Sequence, residues 1–368
     1  MSSTLQCLHS VLELKSELIK YPGKTNDLDQ SSHLLTIATR DLFGELDRNV
    51  KPVSLKQFWM MVCITYPPFS QRHNGALKQQ DAEEFRTLII YSLLWSLRTS
   101  HDSEYPEIVK KLFGIELVSR SHYEESGEES SERSEAESKF LLKCRISHEV
   151  NHLHEGLKHG LKSELKKVSP SLGRSSIYLK ESRINNLPRY LTVQFVRFFW
   201  NRESHQTEMN LQKVDYPLEL DVYELCSDEL RKKLEAPRKL LRDEEGRKAG
   251  SKIDEKKPKE TDVKMIDAEG SSSEIGETST SSSHEGSTSK SEGQLTGVYE
   301  LVSVLTHQGR SADSGHYVAW VKQESGKWIQ FDDEEAILRC EEDITKLSGG
   351  GDWHTAYICM YKAPVIRN

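Results

Sequence analysis

The sequence has no long apolar run, no closely paired cysteines and no surplus of basic charge. Its longest apolar stretch is Leu88-Ile89-Ile90-Tyr91-Ser92-Leu93-Leu94-Trp95, far short of the roughly 20 residues that a membrane-crossing helix needs. Six cysteines (Cys7, Cys63, Cys144, Cys226, Cys340, Cys359) occur without any CxxC spacing, which leaves a structural zinc site without support and reads as reduced thiols. No signal-peptide pattern opens the chain, so the expected location is the cytoplasm and nucleus. The formal charge of −8 comes with Lys and Arg interspersed among acids, so neither nucleic acid nor a membrane surface is an expected partner. No motif asks for a metal or an organic cofactor. A mean hydropathy of −0.64 implies that a sizeable part of the 368 residues lies outside any packed core.

What is present divides the chain into a helical first part and a β-rich remainder. Leu5, Leu8, Val11 and Leu12 share one helical face, as do Leu34, Leu35, Ile37 and Leu42. Gln79 to Leu97 is predicted as a third amphipathic helix, with Asp81, Glu83 and Glu84 in an acidic first turn that suits the positive end of the macrodipole. Strand character begins near Phe140, with Phe140–His148, Ser176–Leu179 and Tyr190–Phe199 rich in β-formers and a more helical stretch from His152 to Ser169. Ser227 can cap a charged helix that ends near Pro237. Two segments, about 121–138 and 242–293, are Ser/Glu- or Ser/Thr/Lys-rich with few large apolar residues, and are expected to be disordered loops that interrupt one domain.

The chemistry concentrates near the end of the chain. Ser314-Gly315-His316-Tyr317-Val318-Ala319-Trp320 and Trp328-Ile329-Gln330-Phe331-Asp332-Asp333 alternate well enough to pair as a hairpin around Glu324–Lys327. His316 and the two aspartates then lie at the same end. A carboxylate there can hold an imidazole tautomer, and such a pair is two-thirds of a nucleophilic triad. Register decides which acid faces the ring: a four-residue loop favours Asp333, and one residue more or fewer favours Asp332. A lone His beside an acid on a hairpin is more often structural, so the pair needs corroboration.

Two further stretches supply it: Gln79-Gln80-Asp81-Ala82-Glu83-Glu84-Phe85 at a helix start, and Met1-Ser2-Ser3-Thr4-Leu5-Gln6-Cys7-Leu8 at the beginning. Together with the hairpin, in this order, they resemble the ubiquitin-specific proteases, which cut after the C-terminal glycine of ubiquitin with a papain-like Cys-His-Asp/Asn triad. Leu187–Phe198, Leu305–Ser311 and Leu347–His354 resemble the proteasome-associated subgroup in its plant form, whose full-length members carry an N-terminal ubiquitin-like domain. The resemblance implies an α+β, papain-like catalytic domain over 1–368. Its helical thumb would run from Met1 to about Arg120, and its palm and fingers would cover about 139–240 and 294–363. It implies His316 as general base and Asp332 as orienter, with Asp333 the alternative. Asp81, Gln80 and Tyr317 would contact the ubiquitin tail, although an N-terminal carboxylate such as Asp81 serves equally well to satisfy free helix amides. Ser311–Gly315 and Gly349–Trp353 would be mobile loops beside that tail. The implied partners are ubiquitin, ubiquitinated proteins and, for the full-length form, the proteasome regulatory particle.

The family's nucleophile lies in an Asn-Thr-Cys-Tyr-Met-Asn-x-Thr-x-Gln-Cys run, and the matching run here begins at its Met, Met1. Cys7 matches the second Cys and lies on the face of Leu5 and Leu8, so it reads as a core thiol. Cys63, within Trp59–Ile64, reads as core too. The catalytic Cys and the upstream oxyanion-donating Asn are therefore expected to be missing through an N-terminal truncation, leaving a doubtful enzyme or a silent ubiquitin-binding module. A separate weak pattern, the interleaved Phe and Arg residues of Val193–Arg202, fits calmodulin targets, with a central β-strand as the favoured reading.

Overall fold

The structure, a computed structural model, describes residues 1–22, 30–48, 51–73, 75–77, 79–99, 107–123, 135–168, 175–254, 294–311 and 314–364. The first part is helical: α1 (Ser2–His9), α2 (Leu12–Lys20), α3 (Gln30–Arg48) and α4 (Lys56–Thr65), then a two-strand ribbon of β1 (Arg72–His73) and β2 (Ala76–Leu77), then α5 (Ala82–Thr99) and α6 (Ile108–Phe113). Leu5, Leu14, Phe43, Phe58, Phe85, Ile89, Leu93 and Phe113 fuse these helices into one core. Spacings of four and eight residues from Phe85 along α5 bring Ile89 and Leu93 onto one stripe.

The sequence pattern is adjusted at three places. Val11 has extended dihedrals (φ −85°, ψ 94°) between α1 and α2, and that break turns Leu12 outward while Leu14 and Leu18 go in. Leu34 is also exposed although Leu35 and Leu42 are buried. In α4 only Phe58 and Val62 are buried; Met60 and Ile64 face solvent and Cys63 is half-buried, so that run is amphipathic rather than wholly core.

The β-rich part continues with β3 (Ile115–Tyr123), β4 (Glu135–Lys139), β5 (Leu142–Arg145), α7 (Leu153–Gly160), β6 (Lys162–Val168), β7 (Ser175–Asn186), β8 (Tyr190–Val196), β9 (Phe198–Asn201), β10 (Gln206–Met209), β11 (Glu219–Asp221) and α8 (Asp228–Asp254). It closes with β12 (Val298–Ser311), β13 (Ser314–Lys322), β14 (Trp328–Asp332), β15 (Glu335–Arg339), α9 (Glu341–Thr345) and β16 (Thr355–Lys362). Strands pair as β4-β3-β7-β6 in one antiparallel sheet, and as β15-β14-β13-β12-β16-β8-β5 in a larger one with β11 and the β9–β10 ribbon attached to β12. Only the β5–β8 pair in the larger sheet's main path is parallel.

These spans correct several expectations. The helical part ends at Phe113, short of Arg120, because Ile115 already starts the strand that pairs with β7. Of the expected loop over 121–138, residues 121–123 and 135–138 are strand, and the middle lies outside the described residues. The helix from Asp228 passes through Pro237 to Asp254, so 242–254 is helical; 255–293 lies outside the described residues. Pro237 removes a donor, yet the next turn is anchored by Arg238, which donates to both Asp221 carboxylate oxygens at 2.9 and 2.6 Å. Charged helix formers beyond it extend a helix that is already nucleated. The stretch His152–Ser169, expected to be helical, is divided between α7 and β6.

β8 joins the two parts. Every residue from Tyr190 to Phe195 is buried, as befits a strand covered on both faces. Leu191, Val193 and Phe195 enter the β-side core, whereas Tyr190 enters the helical core. On Tyr190's face, the Thr192 hydroxyl accepts from Arg86 at 2.7 Å and Gln194 donates to the Tyr357 hydroxyl at 2.9 Å.

Candidate active site

Three element ends converge: the starts of α1, α5 and β13. Ser3 Oγ in the first turn of α1 donates to the Tyr317 carbonyl at 2.7 Å, and Thr4 Oγ1 reaches the Ala82 carbonyl at 3.5 Å. Thus the α1 terminus is tied to the residue next to His316 and to the α5 terminus. A helix start offers free N–H groups and positive potential to an anionic species.

The hairpin register decides which aspartate lies on the face of His316. Lys322 pairs with Trp328, so the loop is Gln323–Lys327, one residue longer than Glu324–Lys327. Continuing the register places Asp332 opposite Val318, on the same face as His316. His316 Nε2 and Asp332 Oδ1 are 2.5 Å apart. With that nitrogen donating, Nδ1 is the basic nitrogen that remains. Asp333 is used differently: it adopts a left-handed φ of 49° in the turn that pairs Asp332 with Glu335. Such turns need positive φ, and Asp tolerates it.

Asp332 Oδ2 also accepts from Gln330 Nε2 at 3.2 Å. The ligand atoms of His316, Asp332 and Asp333 lie within 4.8 Å of one another, so a cation is sterically conceivable there, but it would compete with the His316–Asp332 bond. A cleft of about 1590 Å³ between α1, the segment following α3 and the β13–β15 hairpins reaches Asp332 and Asp333.

Gly315 cannot be replaced without movement. Its φ is 146°, and a Cβ there would overlap the His307 ring, so the His316 strand and the buried His307 ring approach more closely than any other residue allows. His307 rests edge-on against Tyr317 and Phe198, and burial lowers its pKa to about 4. Its Nε2 has no hydrogen-bond partner.

The predicted tail-contacting residues are placed as follows. Asp81 is the α5 cap: its Oδ1 accepts from the Glu83 and Glu84 amides at 2.8 and 3.1 Å, and its Oδ2 accepts from the Tyr357 hydroxyl at 2.7 Å. Burial, with Asp81 adding to it, raises the pKa of both Tyr317 and Tyr357. Tyr317 is half-buried within this group and packs near Tyr357. Gln80 is half-buried at the α5 approach. Its neighbour Gln79, not singled out from the sequence, donates to the Gly315 carbonyl at 3.2 Å. The glycine loops are joined by Arg310, whose guanidinium donates to both Asp352 oxygens at 2.9 and 2.6 Å. Ser314 and Gly315 lie in β13; residues 312 and 313 are outside the described set.

All six thiols have raised pKa values. Burial pushes Cys7, Cys144 and Cys226 up to about 12, takes Cys359 well above its usual value and raises Cys63. Cys340 is raised by Glu342 and Asp343 beside it. Among the described residues no cysteine sulfur hydrogen-bonds His316. The Val193–Arg202 segment contains most of central β8, with Phe195 and Arg197 fully buried, so presentation to calmodulin as a helix would require it to leave the sheet.

A helical part and a twisted sheet meeting at a His–Asp pair beside a helix start define an α+β fold of the papain-like cysteine hydrolase type. Residues 1–361 match the family model described as ubiquitin carboxyl-terminal hydrolase, and the chain belongs to that family, whose members are deubiquitinases. It is 63% identical over 369 residues to ubiquitin carboxyl-terminal hydrolase 6 of Arabidopsis thaliana, covering all of this chain and 76% of the relative. Hydrolase 7 of the same plant is 62% identical with the same coverage, and hydrolase 6 of Schizosaccharomyces pombe is 34% identical over 376 residues. A chain of the solved SAGA DUB module that contains Ubp8 shares the fold, with a TM-score of 0.63 at 17% identity over all of this chain and 67% of that one.

Proposed function

We propose that His316 is the general base and Asp332 its orienter for thiol-dependent hydrolysis of the bond after the C-terminal glycine of ubiquitin, and that the 368-residue chain as given binds ubiquitin without cleaving it. The observation that carries the first half is the Nε2–Asp332 contact, which leaves Nδ1 as the base nitrogen. The second half rests on the thiols: among the described residues no cysteine sulfur hydrogen-bonds His316, and each of the six has a raised pKa where a nucleophile needs the opposite. Asp81, Gln80 and Tyr317 would border the ubiquitin tail, with Asp81 acting through the α5 cap it already forms. A ubiquitin carrying a C-terminal electrophile tests both halves. The expected result is saturable, reversible binding with no covalent adduct; an adduct at any of the six cysteines overturns the silent reading, and absence of binding overturns the ubiquitin reading.

Likeness to the proteasome-associated subgroup supports recruitment to the proteasome regulatory particle, within cytoplasm and nucleus. Native-gel comigration with purified regulatory particle tests that. Calmodulin has weaker support, and a 193–202 peptide that fails to bind it in calcium removes the idea.

A further inference from the structure

We propose that Gln330 is a positioning residue for the His316–Asp332 pair, locked into its donating orientation by Arg339. The inference rests on the reading above that Asp332 orients His316. Gln330 lies two residues before Asp332 on β14 and therefore on the same face of the sheet. It is buried, at 3% exposure, so its amide cannot turn to bulk water for partners.

An amide side chain presents an acceptor at one end and a donor at the other, and which end faces a carboxylate determines whether it supports or repels it. Arg339 decides this. Its guanidinium has only donors, and Nε donates to Gln330 Oε1 at 2.8 Å. The Gln330 NH2 is thereby turned to Asp332, where it donates to Oδ2 at 3.2 Å. The other carboxylate oxygen is left for His316 Nε2. One Asp332 oxygen is held by Gln330 and the other by His316, so the carboxylate plane cannot rotate without losing a bond.

Arg339 is itself positioned. It stands opposite Trp328 in the β14–β15 ladder, and its guanidinium lies 5.8 Å from the Trp320 ring centroid. Trp320 stands opposite Gln330 on the other side, and its indole N–H donates to Thr306 Oγ1 at 3.0 Å. Three neighbouring strands thus carry a relay, Arg339 to Gln330 to Asp332 to His316. At each link of it a donor meets an acceptor, which is the arrangement that makes a buried polar network rigid.

The test reads the His316 tautomer in the full chain by long-range proton–nitrogen spectra of isotope-labelled histidine, with His316→Gln assigning its signal among the 14 histidines. Asp332→Ala is the reference that removes the orienter. Gln330→Met keeps the length and removes the amide, and should reduce the Nε2–H to Nδ1–H population ratio about fivefold, toward the Asp332→Ala value. Arg339→Met should do the same through a freed amide, while Arg339→Lys, which keeps a donor, should restore the ratio. If Gln330→Met does not fold, the half-buried Arg339 pair decides alone. A wild-type ratio in both Gln330→Met and Arg339→Met, with Asp332→Ala shifted, overturns the positioning role and leaves the His–Asp reading intact. A wild-type ratio in Asp332→Ala itself overturns that reading and the proposal together.

Discussion

The helical part and the β part each bury an arginine that, among the described residues, has no carboxylate hydrogen-bonded to it, and use it differently. Arg86 on α5 spans the seam, donating to the Phe140 carbonyl at 3.2 Å and to Thr192 Oγ1. Arg197, just past β8, stays within the β part, where it donates to the carbonyls of Ala356, Asn210, Gln212 and Ser348. Burial lowers the pKa of both guanidiniums to about 10, which leaves them charged at neutral pH. A buried cation is expensive unless its donors are satisfied. Four carbonyls at Arg197 gather the base of the β9–β10 ribbon, the loop before Gly349 and β16 into a rigid frame. Two bonds at Arg86 join two separate cores. The difference teaches that the β side of the site is preorganised, whereas the helical side is attached to it.

The largest effect expected from that contrast is at Arg197. Replacing it with Met removes the guanidinium from four carbonyls, two of them in buried bonds, and should cost about 3–5 kcal/mol in urea unfolding; a loss under about 1 kcal/mol would show that the frame does not depend on it. Next is a pH effect on the β side. His307 is neutral when folded, with a pKa near 4 against an ordinary 6.5. The unfolded state therefore binds the extra proton first, so stability should fall as pH drops from about 6.5 to 4 and level off below. The contribution is up to about 3 kcal/mol, and His307→Leu should flatten that limb relative to wild type in thermal melts across the range.

Arg86→Met is expected to cost less than Arg197→Met, about 2 kcal/mol. It should also raise hydrogen exchange in α5 and β8 together, because both lose the same tie. Exchange confined to one of them would break the idea of a shared seam. The smallest effect belongs to Tyr357→Phe, which removes one donor from Asp81 and the acceptor that Gln194 uses, while the α5 amides keep their bonds to Asp81. About 1 kcal/mol of stability should be lost, with a modest weakening of ubiquitin binding by titration calorimetry; a loss as large as that of Arg86→Met would mean that Asp81 depends on the hydroxyl rather than on its cap.

Much of the fold was legible where periodicity and burial coincide, as along the α5 stripe and in β14; in β13 the expected alternation gives way to four consecutive buried residues, Val318–Val321, because that strand is covered on both faces. The misses share a cause. Leu12, Met60 and Ile64 are apolar but exposed, since a single extended residue at Val11, or a helix covered on one side only, rotates them away from the core. The helix beyond Pro237 persisted through a tertiary anchor, Arg238 on Asp221, which no local rule contains. At the site, His316, Asp332 and Asp81 were named by motif; the structure pairs the first two and holds Asp81 as the α5 cap. Gln79, Gln330 and Arg339 were not, because an amide or guanidinium carries no signal until its partner's position is known. Gln330 alone had a usable hint, its spacing of two from Asp332.

By itself the sequence determined the family, the helical and β-rich halves, and the residue types able to form a His–carboxylate pair, because these depend on composition and short-range pattern. Only the tertiary structure decided which aspartate faces His316, since one added loop residue switches every side chain of β14 to the other face. It also decided that Asp81 is occupied as a cap, and that the thiols are held in raised-pKa environments. Those outcomes follow from burial and long-range contacts, which no stretch of chain specifies alone.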